Sequence, residues 1–443
     1  MYQKVKGTYD LLPKDTAKWI AVERAIRNVS KLFNYKEIRT PIFEKTELFH
    51  RSVGDSSDIV SKETYDFLDR GNRSITLRPE GTAGVVRSYI ENKIYAEASS
   101  ISKMYYMGPI FRYERPQKGR YRQFSQFGAE MFGSNSPMAD AEVISYAVSI
   151  LKSLKINDVT VHINSLGGKE SKMLYREALV KHLAPGINNL CGDCQTRYQN
   201  NPLRILDCKV DQENELLLNA PSTIDYLTNE DKTHFESVLA FLDVMKVDYV
   251  VDKNLVRGLD YYTNTVFEIK TSIANLGAQN TICGGGRYNN LVSDLSGPAT
   301  PAVGFAFGFE RLLLVLEALE YQGDIDYTHL FIIGLGDSVK EDVMQMTNRC
   351  RMGGLITETD LNNKNLKQQF KQSEINNARF IAIYGENEKL EGKINLKDKQ
   401  NNTEVTIDKH QLYNYIVAEL MKPAPSSCSS CGEEDSCDTC GGE

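Results

Sequence analysis

No apolar run in the 443 residues approaches the length that spans a bilayer, so composition gives no membrane partner. Met1 to Lys6 is too short and polar to precede the fold as a signal or transit segment. A cytoplasmic location is therefore expected. Without a secretory signal, the nine cysteines point to reduced thiols and not to a disulfide framework. Neither the P-loop pattern nor a strand-linked G-x-G-x-x-G occurs, which removes two common nucleotide-binding readings. Basic residues are missing from Ser426 to Glu443, which hold five acids; without them the rest of the chain carries only −2 of the formal −7.

What is present is an ordinary globular composition, 41% hydrophobic and 25% charged, over a length that suits two or three domains. Charge is local. Arg112 to Arg122 holds five basic residues against the single Glu114, and local sign decides what a surface attracts more than the total does. The segment Gly108 to Phe132, GPIFRYERPQKGRYRQFSQFGAEMF, reads as two alternating strands joined by a basic loop. Strand parity then gathers Arg112, Glu114, Phe124, Gln126 and Glu130 on one face. The other face carries Phe127, Ala129 and Met131, which should bury against helices. An isolated hairpin with one solvated charged face is the plain reading; the rest of the chain argues for a site.

Trp19, Val22, Ile26, Val29 and Phe33 recur at helical spacing, followed by a strand near Lys36 to Ile42. Ser74 to Pro79 reads as a strand leading into a helix at about Ala83 to Asn92, and alternation places Thr76, Arg78 and Glu80 together. A helix near Ala139 to Leu154 and a strand at Val159 to Asn164 precede a helical insertion, residues 169–245, punctuated by Pro185, Pro202 and Pro221. Strands resume at Asp248 to Val251 and Val266 to Thr271, then Gly284-Gly285-Gly286-Arg287-Tyr288 and a helix from Glu310. From Thr328 strands alternate with helices up to Met421, which predicts a small α/β domain with a largely parallel sheet core. The expected division is 1–325, 326–421 and a Cys-rich acidic tail, 422–443.

Two further arginines, Arg257 in LVRGLDYY and Arg311 in GFAFGFERLLL, join Arg112 as planar, permanently charged groups. Such groups suit phosphate oxygens and stack on an adenine ring. The segments KGTYD, LRPEGTA, FRYERPQKGRYRQF, LVRGLDYY, GGGRY and TPAVGFAFGFERL resemble the signature segments of histidyl-tRNA synthetases, a family of class II aminoacyl-tRNA synthetases. The resemblance implies an α+β catalytic core built on an antiparallel sheet with flanking helices, a helical insertion, and a C-terminal α/β anticodon-binding domain. It also implies a homodimer, with the strand around Pro41 at the interface.

By position, the resemblance assigns Glu80, Thr82 and Gln126 to the α-amino group of histidine, and Glu130 and Tyr262 to the imidazole nitrogens, with Tyr288 shaping the pocket. It places Arg112 on the α-phosphate of ATP, Phe124 under the adenine, Glu114 at its edge and Arg311 against the ring and outer phosphates. Arg257 would bridge the substrate carboxylate and the α-phosphate, with Mg2+ on the outer phosphates. Arg115, Gln117 and Arg120 would touch the acceptor end of the tRNA. The competing function is a non-catalytic synthetase-like regulatory subunit of ATP phosphoribosyltransferase, which would need neither these site residues nor the domain after Thr328.

Two departures stand out. Ser125 occupies a position where the family often has histidine, and parity points it away from the site. The tail presents C-x2-C-x5-C-x2-C through Cys428, Cys431, Cys437 and Cys440, paired hooks that suit a tetrahedral zinc ion; free thiols and redox pairing are the alternatives. Cys191, Cys194 and Cys208 form a looser group, expected as core or surface cysteines, with His182 as the fourth ligand if they bind metal. Cys283 and Cys350 read as structural.

Overall fold

A computed structural model describes residues 2–53, 59–97, 100–117, 119–273, 280–321 and 327–422. The chain divides into two compact units, Met1–Asp324 and Ile325–Glu443. The tail cysteines lie outside the described residues.

The first unit is built on an eight-stranded sheet in the order Lys36–Glu37, Ser102–Phe111, Gln123–Phe132, Ala302–Gly308, Thr281–Arg287, Thr263–Thr271, Val159–Ser165, Tyr249–Val251. Its inner pairs are antiparallel and the pair at each edge is parallel. Alternation decides the two faces. Phe127, Ala129 and Met131 turn to one side, where Phe305, Phe307 and Ile269 join them under helices Pro13–Leu32, Pro137–Ser153, Asn229–Val244 and Phe309–Ala318. The opposite side carries Phe124, Gln126 and Glu130 and is closed partly by helix Thr82–Glu91 through Val85, Val86 and Tyr89. Expected burial of the apolar parity thus holds, and the polar parity faces a cavity.

Several boundaries differ from the sequence reading. The basic hairpin stops being a strand at Phe111, so Arg112 and Glu114 sit just past its end, although the Arg112 N–H still bonds the Arg122 carbonyl at 2.9 Å. The strand expected over Lys36 to Ile42 splits into Lys36–Glu37 and Phe43–Lys45, which belong to different sheets, because Pro41 cannot donate to a ladder. Thr76, Arg78 and Glu80 do not share a face. The strand ends at Leu77; Thr76 bonds Asp66, Arg78 reaches the carbonyls of Pro109 and Thr40, and Glu80 turns to the following helix.

The helical insertion has its own small core of Tyr175, Leu179, Leu183, Leu190, Cys194, Ile205, Cys208 and Leu217. Helix Asn229–Val244, which falls within the insertion expected over 169–245, instead buries Phe235, Val238 and Leu242 in the main core. Arg287 of the GGGRY segment is also structural. Fully buried, it meets Asp140 at 3.1 Å and the Ser134 carbonyl at 2.8 Å, pinning the sheet to helix Pro137–Ser153.

The second unit is a five-stranded sheet ordered Thr357–Thr359, Leu330–Leu335, Phe380–Gly385, Lys393–Asp398, Thr403–Asp408. The first three strands are parallel and the last two pair antiparallel, as a hairpin requires. Helices Lys340–Met352 and Leu412–Met421 cover one face and Leu366–Ile375 the other.

Candidate active site

The polar face of the large sheet floors a cavity of about 640 Å³. Glu80, Thr82, Arg112, Glu114, Arg120, Phe124, Gln126, Glu130, Arg257, Tyr262, Tyr288 and Arg311 all line it, although they span more than two hundred residues of sequence. Arg115 and Gln117 do not; both are exposed on the hairpin loop, where Gln117 and Arg120 exchange backbone hydrogen bonds of 3.1 and 2.9 Å. Ser125 is absent from the lining, as parity requires, and its N–H bonds Glu310 Oε1 at 2.8 Å.

One part of the cavity is acidic and phenolic. Glu80 accepts from the N–H groups of Thr82 and Ala83 at 2.6 and 2.7 Å, so its carboxylate caps the first turn of helix Thr82–Glu91. Thr82 Oγ1 donates to Glu130 Oε1 at 2.8 Å, and the Tyr288 hydroxyl donates to Glu130 Oε2. Glu130 is paired across the ladder with Gly304, and a side chain on that glycine would collide with its carboxyl oxygen. Burial pushes the Glu130 carboxyl up to about 8, against the two hydroxyl donors, and burial also raises Glu80. Tyr106 and Tyr262, both buried, and half-buried Tyr261 complete this end.

The other part is cationic. Arg112 donates from Nε to the Pro79 carbonyl at 2.8 Å and lies over the Phe124 ring, 5.6 Å from its centroid. Arg120 stands 3.4 Å from Glu114, and Arg311 Nη1 bonds the Thr281 carbonyl at 2.6 Å. Arg257 lies between the two parts, ion-paired with Glu268 and within electrostatic reach of Tyr262. Here the ladder repeats its device. Glu268 pairs with Gly284, and the missing side chain there leaves the space that the Arg257 guanidinium fills.

Sequence reading missed Glu268, Tyr106 and Tyr261. Glu268 is an isolated carboxylate within the strand Thr263–Thr271, a local signal that was available; Tyr106 joins the site only through the pairing of strands. The insertion contributes Leu206, Asp207, Lys209 and Gln212 to the wall, and its Arg204 and Asn201 side chains bond the Gly258 carbonyl at 3.1 Å and Asp260 at 2.9 Å.

A mixed sheet edged by helices, with arginines flanking one cavity and an α/β unit following, is the arrangement of a class II aminoacyl-tRNA synthetase. A family model described as Histidyl-tRNA synthetase matches residues 7–312, and one described as Anticodon binding domain matches 329–419. The chain is 48% identical over 417 residues to a "Histidine--tRNA ligase" of Bacillus cytotoxicus, covering 94% of this chain and 99% of the relative. It is equally identical to that of Bacillus subtilis over 407 residues, covering 92% and 96%. The solved apo histidyl-tRNA synthetase of S. aureus superposes with a TM-score of 0.81 at 40% identity, covering 94% of this chain and all of the other. This chain belongs to the histidyl-tRNA synthetase family.

Proposed function

We propose that this chain is a histidine-tRNA ligase that activates histidine with ATP and passes the histidyl group to the 3′ end of its tRNA. The observation that carries the reading is one cavity in which a carboxyl and hydroxyl cluster, Glu130 with Thr82 and Tyr288, adjoins Arg112, Arg257 and Arg311. Neutral imidazole presents one donor and one acceptor, and Glu130 and Tyr262 supply matching partners. A competitor without those groups leaves buried polar atoms unpaired, which is a strong basis for rejection. Glu80, Thr82 and Gln126 hold the α-amino group, and Tyr288 fixes the Glu130 carboxyl.

In the first step a carboxylate oxygen of histidine forms a bond to the α-phosphorus as the bond to pyrophosphate breaks. The attacking carboxylate is ionised at neutral pH, so no general base is needed. Arg257 bridges the carboxylate and α-phosphate, and Arg112 neutralises charge that grows on the α-phosphate oxygens. Phe124 stacks under the adenine, Glu114 meets its edge and Arg311 covers its outer side and the β and γ oxygens. Glu114 is a hard carboxylate ligand suited to magnesium beside the phosphates, and its Oε2 accepts no hydrogen bond among the described residues. Bound there, the ion would neutralise the β and γ phosphate oxygens.

In the second step a ribose hydroxyl of the terminal adenosine attacks the histidyl carbonyl. AMP leaves, and a phosphate oxygen of the adenylate takes the hydroxyl proton. Arg120 at the cavity rim, with exposed Arg115 and Gln117 on the same loop, positions the acceptor end. The α/β unit engages the anticodon. A homodimer is supported by the exposed Ile42, Phe43, Phe67 and Leu68 on or beside the small sheet near Pro41. No helix among the described residues is long and apolar enough to cross a membrane, and a cytoplasmic site of action accords with that. The regulatory-subunit alternative is disfavoured by the anticodon-binding match over 329–419. Histidine-dependent exchange of labelled pyrophosphate into ATP tests the reading; a purified chain with no such exchange refutes it.

A further inference from the structure

The thiol group of the helical insertion is left unused by the reaction. Cys191, Cys194, Cys208 and Asp211 each present one ligand atom, and these atoms all lie within 4.8 Å of one another. They come from two hooks of the same spacing, Cys191-Gly192-Asp193-Cys194 and Cys208-Lys209-Val210-Asp211. His182, the fourth ligand considered from sequence, is elsewhere, its Nε2 2.8 Å from the Leu216 carbonyl.

Two of the donor-atom spacings match the edges of a coordination tetrahedron. Cys191 Sγ lies 3.7 Å from Cys208 Sγ, and Cys208 Sγ lies 3.5 Å from Asp211 Oδ2. A tetrahedral zinc ion with Zn–S of about 2.3 Å and Zn–O of about 2.1 Å sets S···S and S···O edges of about 3.8 and 3.6 Å. Each hook also folds so that a backbone N–H faces its leading sulfur. The Asp211 N–H meets Cys208 Sγ at 3.4 Å, and the Cys194 N–H bonds the Cys191 sulfur. Such outer hydrogen bonds hold ligands in place around a metal. A carboxylate oxygen is thus set among three sulfurs, two of them buried, and Asp211 Oδ2 also accepts from the Cys191 N–H at 3.0 Å, which ties the second hook to the first.

We propose that Cys191, Cys194, Cys208 and Asp211 bind one zinc ion as a closed structural site. Thiolates select zinc over magnesium or calcium, and four protein ligands leave no open position for catalysis. The benefit is local. The insertion has a core of only eight buried side chains, and small cores gain stability from a metal. Cys208 directly follows the turn Pro202–Asp207, whose Arg204 bonds the loop carrying Arg257. The ion therefore braces the part of the cavity wall that the insertion supplies.

The test uses the full chain with Cys428, Cys431, Cys437 and Cys440 all changed to serine, so that any thiol-bound metal belongs to the rest of the molecule. Elemental analysis after expression with zinc is expected to find about one zinc per chain. Cobalt exchanged into the site should show sulfur-to-cobalt charge transfer and tetrahedral visible bands. Asp211→Cys in that background should keep the metal and alter the cobalt spectrum, whereas Cys194→Ser should lose the metal and lower the melting temperature. No stoichiometric zinc together with an octahedral cobalt spectrum would overturn the proposal. So would a Cys191 to Cys208 disulfide in place of the metal, or zinc that survives Cys194→Ser with Cys208→Ala. If Cys194→Ser does not fold, the metal content and cobalt spectrum of the tail-serine chain, with its insertion cysteines intact, still decide.

Discussion

Replacing Glu130 by glutamine removes a carboxyl that burial pushes from 4.5 up to about 8. Below pH 4.5 the folded and unfolded chains both hold this proton. Between 4.5 and 8 the folded chain holds one more, so stability falls as pH rises through that window and levels off above it. At about 1.36 kcal/mol per pH unit the whole fall is on the order of 4–5 kcal/mol. Glutamine has no such proton, so Glu130→Gln should gain stability relative to the parent by that amount between pH 4.5 and pH 9. Urea unfolding of the ligand-free chain measures the difference. The single tryptophan, Trp19, stacks on Phe309 with centroids 4.8 Å apart, so its fluorescence reports on the catalytic unit. Taking the difference between variant and parent cancels every other titrating group that the substitution leaves alone. Parallel stability curves across pH 4.5 to 9, or a difference of opposite slope, would refute the reasoning about Glu130.

Arg257→Lys keeps a charge but loses the planar fork that Glu268 orients, and it should lower kcat for pyrophosphate exchange on the order of 100-fold. Gly284→Ala should cut the same rate at least ~10-fold by displacing that guanidinium, with unfolding stability within about 1 kcal/mol of the parent, since only the end of a flexible side chain must move. Arg287→Met leaves buried Asp140 without its guanidinium and should cost about 3–5 kcal/mol in urea unfolding. Ser125→His should leave adenylate formation unchanged in the exchange assay, because the position lies outside the cavity lining.

Legibility in the sequence followed the range of the interaction. Strand parity over Gln123–Phe132 separated the core residues Phe127, Ala129 and Met131 from Phe124, Gln126 and Glu130, because both sets sit on one strand and a period of two settles the matter. The same rule failed for Thr76, Arg78 and Glu80, because the chain leaves the strand after Leu77 and alternation no longer applies. Cys191, Cys194 and Cys208 were visible as a group, but Asp211 was not, since nothing in a local pattern distinguishes it from other surface acids until Cys208 and Cys191 are brought together.

The glycines are the most instructive case. Read alone, the glycines of GGGRY suggest a bulge or tight bend, and the ladder does shift register between Gly286 and Arg287. Their larger role depends on the neighbouring strands. Gly284 lies opposite Glu268 and makes room for Arg257, while Gly304 lies opposite Glu130 and makes room for its carboxyl. In both pairs a side chain was removed from one strand so that a charged or ionisable group on the floor of the cavity can lie close to the backbone, where water is excluded and its pairing is strongest. Which glycine serves which acid is fixed by strand order and register, which bring together positions more than a hundred residues apart in one pair and sixteen in the other. The site is therefore a property of the assembled sheet: its arginines and acids are identifiable singly from the chain, and the spaces that hold Arg257 and Glu130 in position appear only once the strands are paired.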